Sequence, residues 1–340
     1  MNKENILVIQ TAFLGDAILT LPMIQKLKEK FPESIIDVLC IPSTEDAFVY
    51  SPYVDDVVVY DKRGVDKSLL SIFNLSKELR RRNYTRLYSP HRSIRTSLLV
   101  LLSRIKETYG FDKASFNSVY KNVIHYNPEF HEVQRNLFLI GADINSNNWK
   151  ILPELKIPTK LEERVSRIQE IQQERDFIAV APGSVWATKI YQKNYFEEVI
   201  AYLIGKSYNI VLIGGPTDKF LCEEIQSHFK SNVFSTAGKL TIIESIQLLK
   251  KCKLLISNDS APTHMAMCAD IPALTVYCST VPDFGFYPYR EKSVSVSYDD
   301  LACKPCGIHG FNKCPTGTFD CSKKLDPQVV IQKIGEMLDL

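Results

Sequence analysis

Residues 5–22 read NILVIQTAFLGDAILTLP. The apolar run ILVI stops at a polar turn ending in Gly15, after which Ala17, Leu21, Ile24 and Leu27 recur at helical spacing as far as Phe31 and Pro32. A run without alternation predicts a strand buried on both faces, here followed by an amphipathic helix, which is how a parallel α/β sheet begins. The pattern continues outward. IIDVLCI (35–41), VVVY (57–60) and RLYS (86–89) predict further strands, with helices over 69–82 and 94–105 between them.

The alternation weakens over 145–159, where SNNW is followed by Pro153 and Pro158, and a linker is expected there. A second series follows, with strands FIAVA (177–181), NIVLIG (209–214), KLLIS (253–257) and ALTVYC (273–278). Helices are expected to start near Asn194, Thr217, Ile242 and Ala261. The reading is an α/β protein of two Rossmann-like domains facing one another across a cleft, with ligands at the carboxyl ends of the strands. Residues 1–155 form the first domain, 156–325 the second, and 326–340 a terminal helix packing back on the first.

Lys and Arg total 41 against 39 Asp and Glu, so the net charge of +2 gives no whole-protein affinity for nucleic acid. Gln10, Thr11, Gly15 and Asp16 interrupt the first apolar run, which argues against an export signal. The stretch 98–102 lies between Arg95 and Arg104 and falls far short of the ~20 residues that span a bilayer. Nine cysteines, an odd number, fit a reduced cytoplasmic setting. A soluble chain that meets a membrane only at its surface is expected.

The first turn lacks the three-glycine dinucleotide spacing, which disfavours a nicotinamide oxidoreductase. It does place Asp16 at the mouth of a helix, as either an N-cap or a catalytic base. After the linker, PGSVWATKIY (182–191) offers a tight turn at Pro182, Gly183 and Ser184, then a hydroxyl and a cation at Thr188 and Lys189. In LLISNDSAPTHMAM (254–267), Asp259 or Ser260 can cap a helix that Pro262 helps to start and that carries His264 in its first turn. The free N–H groups and dipole of such a helix end suit a phosphate.

The three segments QTAFLGDAILTLP, PGSVWATK and SNDSAPTHMA together resemble glycosyltransferase family 9, the bacterial lipopolysaccharide heptosyltransferases, in order and spacing. The resemblance runs from about Ile6 through the late cysteines. It implies a GT-B fold, an inverting transfer, and a nucleotide-activated heptose, ADP-heptose, as donor. It further implies Asp16 as general base, Lys189 as partner of the leaving diphosphate, and a donor site drawn from Gly15, Gly183, Ser184, Thr188, Lys189, Asp259, Ser260, Ala261 and His264. Three departures from the family pattern stand out. Ile190, Tyr191 and Gln192 follow the lysine, with Tyr191 expected to pack in place of a tryptophan; Ala261 replaces a glycine; and Cys278, Ser279 and Thr280 replace Gly-Pro-Thr.

Residues 62–106 carry twelve cations against Asp66 and Glu78. Lys62, Arg63, His91, Arg92 and Arg95 are the expected contacts to an anionic acceptor, a Kdo-bearing lipid A or core oligosaccharide at the cytoplasmic face of the inner membrane. Arg80 to Arg82 read equally as a helix end. The chemistry requires no cofactor. Cys303, Cys306, Cys314 and Cys321 leave two readings open, a structural zinc or reduced thiols bracing a loop. A family 9 enzyme for another sugar and a non-catalytic nucleotide-sugar-binding module are the competing functions. A sugar-nucleotide epimerase is disfavoured, since it needs no polybasic acceptor face.

Overall fold

The computed structural model describes residues 3–168, 176–229 and 232–340. The chain divides into two compact units, Met1–Lys156 and Ile157–Leu340. The first contains β1 (Asn5–Ile9), β2 (Ile35–Cys40), β3 (Asp56–Val59), β4 (Arg86–Ser89), β5 (Glu107–Phe111) and β6 (Asn122–Ile124). They form a parallel sheet in the order β3-β2-β1-β4-β5-β6. The second contains β7 (Phe177–Ala181), β8 (Asn209–Leu212), β9 (Val233–Ser235), β10 (Cys252–Asn258), β11 (Ala273–Tyr277) and β12 (Val294–Ser297), again all parallel, in the order β12-β11-β10-β7-β8-β9. In each unit the chain lays two strands outward on one side of its first strand, then returns to build three on the other. The order therefore reverses between β1 and β4, and between β7 and β10, and at these points the connecting loops diverge and leave a crevice.

The apolar runs explain which strands are central. Ile6 to Ile9 of β1 and Ile178 to Val180 of β7 are fully buried, as strands covered by helices on both faces must be. The helix Leu14–Lys30 follows β1 and buries Ala17, Leu21, Ile24 and Leu27, the positions whose spacing predicted it. Helices Leu69–Arg81 and Ile94–Ser103 are each opened by a serine, Ser68 and Ser93, whose side chain accepts the N–H of the residue three places on. Phe13 holds the N-cap position of the helix Leu14–Lys30, so Asp16 stands in its first turn, where its carboxyl meets the backbone N–H groups of Phe13 and Asp16.

The C-terminal helix Pro327–Leu338 was expected against the first unit. Its apolar face is instead used within the second: Val330, Ile334 and Met337 join a core with Phe196, Ile200 and Leu203 of the helix Lys193–Gly205. Tyr191 belongs to the same core, wholly buried, with its hydroxyl donating to the Leu325 carbonyl at 2.8 Å and its ring edge-on to Phe196. That is the packing role expected of it.

Gly110 marks the tightest close approach in the first sheet. A Cβ there would sit 2.5 Å from the ring of Tyr120, itself 4% exposed. Gly110→Ala is expected to lower unfolding stability by about 1–3 kcal/mol through overpacking, read by chemical denaturation. An unchanged midpoint would show that Tyr120 has room to move.

Candidate active site

In the first unit the predicted residues collect at the carboxyl ends of β1, β3 and β4. Thr11 follows β1 and binds Nδ1 of His91, which follows β4, at 3.0 Å; Thr96 meets the same nitrogen at 2.7 Å. This link spans the strand reversal. Lys62, after β3, donates to the Thr11 carbonyl at 2.6 Å. Burial, then the charges of Lys62 and Arg92, push the His91 imidazole down to about 3, so it is neutral at physiological pH. Burial, with Arg63 and Arg95 nearby, also lowers Lys62 from its ordinary value. Arg63 lies over the Phe13 ring at 5.3 Å. Arg95 donates to the Lys67 carbonyl at 2.7 Å and so fastens the 60–67 loop.

Asp16 sits half-buried in the first helical turn beside Gly15, yet its carboxyl is enclosed enough that desolvation, reinforced by the charge of Glu132, pushes it up to about 7. The backbone N–H groups of Asp16 and Phe13 and the nearby Arg92 act in the opposite sense. Glu132 is 7% exposed and pairs with Arg135 at 3.0 Å. Arg92 and Arg135 both lie over the ring of Tyr126, at 4.1 and 4.7 Å. Glu132, Arg135 and Tyr126 were missed in the sequence. They lie far from Asp16 along the chain, and the helix Glu132–Leu139 that carries two of them was not predicted.

The basic run 62–106 does not form one face. Arg82 pairs with Asp37, Asp56 and Glu78, Arg86 with Glu4, and Arg80 donates to the Leu102 carbonyl. These arginines flank the amino ends of β2, β3 and β4 and brace the sheet.

In the second unit, β10 ends on Asn258, a buried residue whose amide donates to the carbonyls of Pro182 at 2.7 Å and Gly183 at 3.3 Å. Its oxygen accepts the Tyr191 N–H at 2.9 Å. The 182–191 loop is thus bound across the reversal between β7 and β10. Gly183 suits this close approach, because a Cβ would lie 2.1 Å from the Asp218 carboxylate and would displace it. Asp218, a second residue missed from sequence, accepts the Gly215 N–H at 2.8 Å, and burial raises its carboxyl. Ser184 takes the Trp186 N–H at 3.4 Å.

Lys189 and Asp259 form a 2.6 Å ion pair with both side chains about nine-tenths buried, and Thr280 donates to the same carboxylate oxygen at 2.6 Å. Asp259 is therefore not a helix cap. Ser260 holds the N-cap position of the helix Ala261–Ala269 but makes no capping bond, so the backbone N–H groups at Ala261 and beyond have no side-chain cap. His264 lies in that first turn, 4% exposed, its Nδ1 without a hydrogen-bond partner and its imidazole pushed down to about 4 by burial. Thr188 is turned away from the loop surface. Its hydroxyl accepts from Phe311 N at 2.8 Å and Ser279 Oγ at 3.0 Å.

Cys303, Cys306, Cys314 and Cys321 line one small cavity of about 10 Å3 with Thr188 and Ser279. All are free thiols. Among the described residues no three His, Cys, Asp or Glu side chains are arranged to hold a metal ion, so the zinc reading is not supported. The thiols have other partners: Cys306 donates to the Cys303 carbonyl at 3.6 Å, and Cys314 contacts the Thr316 hydroxyl at 3.2 Å and accepts the Phe319 N–H at 3.4 Å.

Comparison with known proteins agrees with this arrangement. The family model of glycosyltransferase family 9 (heptosyltransferase) matches residues 72–310. Lipooligosaccharide heptosyltransferase 2 of Campylobacter jejuni is 26% identical over 331 residues, covering 96% of each chain. The crystal structure of a family 9 glycosyl transferase from Veillonella parvula superposes with a TM-score of 0.87 at 20% identity, covering 99% of this chain and 98% of that one. ADP-heptose LPS heptosyltransferase II of E. coli gives 0.79 at 20% identity, covering 98% of each. The fold of two Rossmann-like units is the GT-B fold of these enzymes.

The cysteine loop yields a direct test. Desolvation opposes ionisation of Cys314, but the Thr316 hydroxyl and the N–H groups of Phe319, Thr316 and Gly317 outweigh it and bring the thiol down to about 7. Mass-spectrometric mapping of brief iodoacetamide treatment at pH 7.5 is expected to find Cys314 alkylated before Cys306 and Cys321, whose thiols are raised. Equal labelling of the three would remove the assigned stabilisation.

Proposed function

The chain belongs to glycosyltransferase family 9, and from that premise we propose that it is an inverting heptosyltransferase. It moves heptose from ADP-heptose to the anionic Kdo/heptose inner core of lipopolysaccharide at the cytoplasmic face of the inner membrane, with Asp16 as general base. One observation carries the assignment of the base: a carboxyl in the first turn of the helix that follows β1, whose surroundings raise it to about 7. A base with that affinity takes a proton from an attacking hydroxyl more readily than an ordinary carboxylate and is still about half ionised at neutral pH.

The acceptor hydroxyl attacks the anomeric carbon on the face opposite the diphosphate. A carbon–oxygen bond forms, the bond to the diphosphate breaks, and the hydroxyl proton passes to Asp16. The leaving group gains negative charge, which the Lys189 ammonium and the uncapped N–H groups at Ala261 are suited to take up. His264 is neutral and adds a hydrogen-bonding nitrogen without a second fixed charge. On the acceptor side Arg92, whose guanidinium lies over the Tyr126 ring, is the cation suited to meet a Kdo carboxylate or a phosphate. Lys62, Arg63 and Arg95 shape the loop beside it. Profiling purified protein against a panel of nucleotide sugars tests the donor, and turnover confined to a sugar other than heptose would make the chain a family 9 enzyme of another specificity.

Asp16→Asn is expected to lower turnover by ~100-fold or more with donor binding retained. In the unaltered protein kcat/KM should rise with pH and level off above about 7, because the base must be ionised, and Glu132→Gln should move that inflection down. Stability runs the other way. The folded protein raises Asp16 above its unfolded value of 3.8, so its contribution is full below that pH and is lost as pH climbs through about 7. Asp16→Asn should accordingly raise Tm at pH 8, and a flat pH–rate profile together with an unmoved Tm would dismiss Asp16 as the base.

Arg92→Gln is expected to raise the acceptor KM by about tenfold and to flatten its salt dependence, with the donor KM unchanged. An unaltered acceptor KM would place the anion elsewhere.

A further inference from the structure

Four large apolar side chains stand in water within nine residues of one another: Val65 is 88% exposed, Leu69 73%, Leu70 66% and Phe73 41%. The helix Leu69–Arg81 buries Ile72, Leu75 and Leu79 in the core of the first unit, so its opposite face is spare. Leu69, Phe73 and Lys77 follow at intervals of four along that face and form one row. The Lys77 ammonium lies over the Phe73 ring at 4.4 Å, so cation and apolar row share one face. Arg63 and Lys67, both exposed, stand on the loop that leads into the helix.

The acids nearby are not paired with these cations. Asp61 accepts the Gly64 N–H at 2.8 Å and Asp66 the Asp61 N–H at 3.0 Å, each turned to the loop's own backbone, and Glu78 pairs with Arg82 at 3.3 Å. An apolar row rimmed by cations fits one class of surface, an anionic bilayer, where apolar groups enter the headgroup boundary and cations meet lipid phosphates. Among the described residues no helix is long and apolar enough to cross a membrane, so contact through this face would be peripheral. The patch also adjoins the acceptor residues, since Arg95 holds the Lys67 carbonyl at 2.7 Å.

We propose that residues 63–77 form a membrane-docking patch that seats on anionic lipid through Val65, Leu69, Leu70 and Phe73, with Arg63, Lys67 and Lys77 binding headgroup phosphates. Its purpose rests on the proposed lipid-borne acceptor, but lipid binding itself can be measured without turnover.

The test is co-sedimentation of the full chain with vesicles of phosphatidylcholine alone or with phosphatidylglycerol added, beside transfer to a deacylated, water-soluble acceptor. Binding is expected only to the anionic vesicles. Leu69→Ser with Leu70→Ser should weaken it by about tenfold or more, and Lys67→Gln or Lys77→Gln by about fivefold each. Val65→Asp, at a loop position with little to pack against, should weaken it too, and guards against a folding defect in the leucine pair. Transfer to the water-soluble acceptor should be unchanged in all of these. Failure of the unaltered chain to bind, equal binding by the leucine and Val65 variants, or a dimer in light scattering that the leucine pair abolishes would each overturn the proposal. Vesicle binding without transfer of heptose would uphold the docking patch and overturn the enzymatic reading.

Discussion

What the second unit can offer a ligand depends on the course of residues 182–191, and one buried amide sets that course. Asn258 gives its two N–H bonds to the carbonyls of Pro182 and Gly183 and takes the N–H of Tyr191 on its oxygen. Left unpaired in the interior, each of those backbone groups would cost about 1–3 kcal/mol. An aspartate lacks the donors and a leucine lacks donor and acceptor alike, so the position calls for an amide of this length. Because Asn258 ends β10 and the loop follows β7, the same bonds close the gap that the reversal of strand order opens. In the first unit a smaller device serves at the equivalent reversal, with Thr11 joined to His91 and to Lys62.

Around these anchors the two units handle charge in opposite ways. Lys189 is neutralised in advance by Asp259, which Thr280 holds in place, so the ammonium has a fixed position before any anion arrives. A buried pair of this kind carries a desolvation cost and is costly to break from one side, which makes it a positioning device more than a source of stability. Asp16 is given no cation at bonding distance. Burial and Glu132 raise its proton affinity, and the folded protein bears the cost of the ionised form as pH rises through about 7. A carboxyl left in that state is a local loss of stability at neutral pH, of the sort that active sites tolerate where structural sites do not.

The central strands were legible because long apolar runs have few alternatives: ILVI, FIAVA and KLLIS could only be buried. ETYGF, NVI, VFS and VSVS were not read as strands, although they form β5, β6, β9 and β12. They are short or half polar, and they are ordered by neighbours already in place more than by their own periodicity. Of the candidate site, the residues that follow strands were legible, since position after a strand implies a place at the crevice. Glu132, Arg135 and Tyr126 were not, because nothing in the local sequence ties them to Asp16, which lies far away along the chain. Asn258 was visible within a recognised motif, but its task of holding three backbone groups depends on a loop more than 60 residues away in sequence.

The basic run 62–106 shows how a charge count along the chain misplaces a field. In a parallel sheet every segment that follows a strand emerges at the carboxyl edge, and every segment that precedes one enters at the amino edge. Lys62, Arg63, Arg92 and Arg95 follow β3 or β4, whereas Arg80, Arg82 and Arg86 lead into β4. Arg82 and Arg86 are drawn into pairs with Glu4, Asp37, Asp56 and Glu78, Arg80 donates to the Leu102 carbonyl, and together they tie neighbouring segments at the edge away from the crevice. The field at the candidate site therefore comes from fewer cations than the tally suggests. Those that remain are held by Thr11, the rings of Phe13 and Tyr126, Tyr60 and the backbone of the 60–67 loop rather than by acids at bonding distance, so a single anion arriving there would meet charge that has not already been cancelled.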